Sequence, residues 1–210
     1  MAQRQSIQSI KITYGVGMIE VLVTLVILSI GLLGVASLQF ISTLSNSDAL
    51  HRSQAVMISQ QLSERLRANA ALSASGRGLV VDNSYFDVSL YNFNNVTCAG
   101  NIPNFKCHCL AHPAGIPNCR NNTCTPAQFA VFDAYEMSCS AASVSSSLEI
   151  ALTCNDNNVL DADVCSAGSR HRIALKWPVE NWQNIERQLN PDCNVGEDEP
   201  HDCVILDVIL

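Results

Sequence analysis

Apolar positions fall into three regimes along the chain. From Val16 to Ile41 they are nearly continuous, VGMIEVLVTLVILSIGLLGVASLQFI, with Glu20 the only charge. As a helix this run would reach roughly 39 Å, enough to cross a bilayer with tilt. After Ile41 the pattern turns amphipathic. Ala55, Ile58, Leu62, Leu66 and Ala70 recur at three- and four-residue steps, with Ser59, Gln60, Glu64, Arg65 and Arg67 between them. That is one buried stripe on a helix, and it is expected to end before Ser73, ahead of Gly76 and Gly78. Beyond lie short alternating runs separated by turn residues. Residues 85–93 (YFDVSLYNF), 148–153, 172–177 and 204–209 predict strands. Thr125-Pro126 opens a helix expected to reach Cys139, with Thr125 as cap and Pro126 in the first turn. A long helix followed by a small antiparallel sheet defines an α+β fold. Residues 98–124, rich in Cys, Pro and Asn, read as a loop.

Charge and cysteine follow the same division. Residues 1–72 hold five basic and three acidic side chains, whereas residues 73–210 hold seven basic and sixteen acidic. An acidic head is a poor partner for nucleic acid, because phosphate neutralisation needs clustered Lys and Arg. The six acids between Asp192 and Asp207 read as a solvated surface. All ten cysteines lie at or after Cys98: Cys98, Cys107, Cys109, Cys119, Cys124, Cys139, Cys154, Cys165, Cys193 and Cys203. An even number in one half of the chain suits disulfides in an exported head. Cys107, His108, Cys109, His112, Cys119 and Cys124 also crowd together like metal ligands, although their C-x-C and C-x(4)-C spacings match zinc sites poorly. Loop spacing favours Cys154 with Cys165 and Cys193 with Cys203.

Glu20 inside an apolar run is costly and therefore a functional candidate. A secretory signal peptide cut before Ser37 is the rival reading of the same run, but the run is longer than the usual apolar core of such a signal. The glycines at 31 and 34 admit two readings, close helix packing or a site of local melting. Asp156, Asn158, Asp161 and Asp163 place oxygen ligands close together, without the Gly and terminal Glu of an EF-hand. Asn95-Val96-Thr97 and Asn121-Asn122-Thr123 match glycosylation sequons. No catalytic constellation, phosphate loop or metalloprotease motif is found, so neither an enzyme nor a cofactor is expected.

Gly15-Val16-Gly17-Met18-Ile19-Glu20-Val21-Leu22-Val23 resembles the processing signal of type IV pilins and type II secretion pseudopilins. The resemblance implies an inner-membrane precursor cut by a prepilin peptidase between Gly15 and Val16. Val16 would then be N-methylated, and Glu20 would set assembly register by pairing with an N-terminal amine. Ser53-Gln54-Ala55, Gln61 to Asn69 (QLSERLRAN) and Ile30 to Gln39 (IGLLGVASLQ) narrow the resemblance to PilV-type minor pilins, the type IV pilus modification proteins. Phe132-Asp133-Ala134-Tyr135-Glu136 and Arg172 to Trp177 extend it into the head. It implies a pilin-like fold, with residues 1–15 a leader, 16–41 a membrane and filament-core helix, 42–72 a stem and 73–210 a head. The head would lie in the periplasm, then on the pilus or cell surface, which favours disulfides over metal. Implied partners are membrane lipid, the prepilin peptidase, the inner-membrane assembly platform and other minor and major pilins, in a role in pilus assembly, adhesion or motility. A type II secretion pseudopilin and a secreted binding protein with a removed signal peptide are the alternatives.

Overall fold

The computed structural model describes residues 15, 17–74, 76, 78–93, 98, 104–160, 163–179 and 189–210. The first helix, α1, runs Met18–Asn69. The chain divides after Asn46 into two compact units, so α1 contributes to both.

The first unit holds the apolar part of α1. The side chains from Met18 to Ile41 are exposed, as are Gly31 and Gly34, and the helix continues through both glycines. Two of its hydroxyls bond to the helix itself. Thr24 Oγ1 donates to the Val21 carbonyl at 2.9 Å, and Ser29 Oγ donates to the Leu25 carbonyl at 2.7 Å. A helix that closes such hydroxyls on its own backbone and presents mostly apolar side chains is suited to a solvent without water.

The second unit, Ser47–Leu210, is built on a three-stranded antiparallel sheet of order β3-β4-β5. These strands are β3 (Glu149–Asn155), β4 (Arg170–Pro178) and β5 (His201–Ile209). β3 begins one residue later than the expected run and ends two later, whereas β4 and β5 extend theirs by one to three residues. The period of two is strict in β4, where His171, Ile173, Leu175 and Trp177 face inward while Arg170, Arg172, Ala174 and Lys176 face out. The stem stripe Ala55, Ile58, Leu62 and Leu66 is buried in the same core, with Ala70 at its margin. Helix α3 (Pro126–Val144) adds Ala130, Ala134, Met137 and Ala141.

Thr125 caps α3 as its sequence predicts. Thr125 Oγ1 accepts from Gln128 N, and Gln128 Oε1 accepts from Thr125 N, which satisfies two amides at the helix start. The helix outruns the expected end at Cys139 and stops at Val144. Ala141 and Ala142 favour helix, and Ser140 and Ser143 donate their hydroxyls to carbonyls within it.

Two expectations need correction. Residues 85–93 do not form a strand. They fold as consecutive 3-10 turns, Asn83–Phe86 and Val88–Leu90, because Asp82 and Asp87 each accept from the amide two residues on, at Ser84 and Ser89. Such local bonds offer the backbone an alternative to a sheet ladder. The stem helix ends at Asn69, short of Leu72. Ala71–Leu72 (β1) instead pair with Leu79–Val80 (β2). The reversal between them needs positive φ at Gly76 and Gly78, and a Cβ at Gly78 would lie 2.6 Å from Ala167 Cβ.

Candidate functional site

The candidate assembly residues lie at the start of α1. Glu20 sits in its first turn, exposed, with its amide donating to the Gly17 carbonyl at 3.0 Å. A carboxylate there complements the positive end of the helix dipole. Gly15 is exposed and outside the helix. Val16, the expected new terminus, lies outside the described residues, as do residues 1–14.

All ten cysteines are paired. Cys98–Cys107 and Cys119–Cys124 close short loops, and Cys109–Cys139 ties the one-turn helix α2 (Asn104–Cys109) to α3. Cys154–Cys165 and Cys193–Cys203 are the two pairs that loop spacing favoured. The Cys/His cluster weighed above as metal ligands therefore has its four sulfurs in disulfides. His108 stacks on Phe93, and His112 meets the edge of Tyr135 at 5.1 Å between ring centres.

In the Cys154–Cys165 loop, Asp156 turns inward on the loop rather than presenting an open ligand. Its Oδ1 accepts from Ser166 N at 2.9 Å and Ser169 Oγ at 3.0 Å, and Asn158 N approaches at 3.4 Å. These donors hold its pKa down at about 2. Asp161 lies outside the described residues, as does the sequon Asn95-Val96-Thr97. Asn121 of the second sequon is exposed.

Sequence reasoning missed a polar joint between stem and head. Arg65, inside the stem, bonds Asp133 at 2.5 Å and Glu136 at 2.7 Å, both on α3. Arg120 holds the other Glu136 oxygen at 2.6 Å. Asn69 Nδ2 donates to Asp133 Oδ2 at 2.8 Å. Burial alone raises the Glu136 carboxyl, but the two guanidiniums outweigh it and hold its pKa below the usual value. Closer to the N-terminal end of the second unit, Arg52 forks onto buried Asp202 of β5 at 2.9 and 3.1 Å. The only sequence signal was a lone aspartate amid apolar residues of α3.

No family model, curated protein or solved structure matches this chain. What the molecule itself defines is an α+β protein with a long apolar N-terminal helix, able by length and composition to cross a membrane, and a disulfide-stapled head.

Proposed function

We propose that this protein is a minor pilin of the PilV type, with a pilin-like fold. It would enter the inner membrane as a precursor, be cut after Gly15 by a prepilin peptidase, and join a type IV pilus with other minor and major pilins. One observation carries the reading: α1 exposes every apolar side chain from Met18 to Ile41, with Glu20 alone in its first turn. Such a surface needs lipid before assembly and neighbouring apolar helices after it. In that bundle the best partner for Glu20 is a cation, and the α-amino group released at Val16 is one.

N-terminal sequencing of the mature protein tests the reading. A methylated Val16 supports it, and a start at Ser37 overturns it in favour of a cleaved signal peptide. Glu20→Ala is expected to keep membrane insertion while lowering incorporation into sheared filaments. Loss of surface pili in a deletion strain supports the pilus. Loss of exported enzymes with normal pili would assign the chain to type II secretion instead.

A further inference from the structure

The edge strand β5 carries a feature that filament formation by α1 does not use. Its register with β4 is unbroken from His201 to Ile209, so backbone groups alternate strictly between facing β4 and facing outward. Three contacts fix which set faces out. His201 N donates to Asn194 Oδ1 at 2.7 Å, and Asn194 Nδ2 donates to the His201 carbonyl at 2.9 Å. Cys203 N donates to Asp202 Oδ1 at 2.9 Å. The odd-numbered residues therefore point away from the sheet. Side chains occupy both groups of His201 and the amide of Cys203. At Ile205, Asp207 and Ile209 no described residue does.

The opposite edge is treated differently. Asn92, at φ 58°, reaches the Ile150 backbone of β3 with both ends of its side-chain amide, at 2.8 and 2.9 Å, in the manner of a neighbouring strand. The open run of β5, VILDVI, has no Lys or Pro, the residues that usually guard a free edge. On the core side of the same strand, Val204 and Leu206 are only partly covered.

We propose that the open edge of β5 pairs antiparallel with β5 of a second copy of this chain. The sequence selects the register. Centring the pair on Leu206 sets Ile205 opposite the partner's Asp207, so their outward N–H and C=O groups are exchanged. It also sets Leu206 against Leu206 and Val204 against Val208 on the core side, extending the apolar layer across the interface. Centring on Asp207 would oppose two carboxylates, which is unfavourable. Self-pairing of one patch gives a closed two-fold contact.

The test uses the full chain in detergent micelles, with hydrogen exchange read at single amides over a range of protein-to-detergent ratios. This readout reports β5 whatever α1 does. Protection of the Ile205 and Asp207 amides is expected to rise with protein concentration. Ile205→Pro removes an outward N–H and no bond of the β4–β5 ladder. It should accelerate Asp207 exchange about tenfold or more while the inward amides of β5 stay protected. Ile205→Asp should weaken pairing and Ile205→Lys should strengthen it, because each faces the partner's Asp207. Rapid exchange at Ile205 and Asp207 at every concentration overturns the proposal. So does protection independent of concentration, which would mean that the chain covers its own edge. Equal effects of the Asp and Lys variants reject the register.

Discussion

Tyr85 Oη donates to Asp133 Oδ2 at 2.5 Å inside the head, where Asp133 is only 3 % exposed. The same carboxylate receives Asn69 and Arg65 from the stem, so one buried charge gathers three separate parts of the chain. Burial, with the bond to Asp133, pushes the Tyr85 phenol well above its ordinary pKa.

Removing that carboxylate should be among the most costly changes in the head. Asp133→Ala leaves the Tyr85 hydroxyl without its acceptor and Arg65 with Glu136 alone, and breaking a buried pair from one side costs about 3 to 5 kcal/mol. Arg65 is partly solvated, so the lower end is expected. Tyr85→Phe should cost about 1 kcal/mol. Urea titration of the two single variants and the double variant measures both costs and their coupling.

The stem stripe should show the same contrast by position. Leu62 has no exposed surface, and Leu62→Ala is expected to lose about 3 kcal/mol. Met57, five residues away and on the outer face at 54 % exposure, should tolerate Ala within about 0.5 kcal/mol. Similar unfolding midpoints for the two variants would refute this assignment of faces.

His171 makes the head sensitive to mild acid. It is fully buried in β4 beside Phe86, and neither ring nitrogen has a hydrogen-bond partner. Burial pushes its pKa below the usual 6.5, while the nearby carbonyls of Ser169 and Val208 offset this in part without reaching bonding geometry. The unfolded chain therefore takes up the proton first. Stability is full above pH 6.5 and falls as pH drops toward the depressed folded value. His171→Leu should flatten the melting temperature between pH 7 and pH 5. An unchanged slope would remove His171 as the source.

The disulfides should differ in worth by loop size. By the chain-entropy argument Cys109–Cys139, with a separation of 30, contributes about 3 to 4 kcal/mol, and Cys119–Cys124, with a separation of 5, about 2 kcal/mol. Paired Ser substitutions compared by thermal melting should preserve that order.

The Thr125-Pro126 start signal found α3. Periodicity was enough to find the stem half of α1 and the three main strands, because each has one buried face that repeats at its own period. It failed at 85–93, where Asp82 and Asp87 redirect the backbone through bonds that hydropathy does not register. It also gave no account of Arg65 with Asp133. These two residues lie 68 positions apart, and only packing of α3 on the stem joins them. The edge clamps of Asn92 and Asn194 were silent for the same reason: an asparagine in a loop reads as a turn residue until a strand lies beside it.

None of the five cross-links reaches α1, since the first cysteine is Cys98. Tension drawn along the stem is therefore resisted at the head by noncovalent contacts alone, the Leu62 stripe and the guanidiniums of Arg52 and Arg65. Once these shear, the chain between Asn69 and Cys98 can extend to a span of roughly 95 Å before a covalent tie takes the load. The five disulfides would still tie the head's loops and strands to one another on that longer tether.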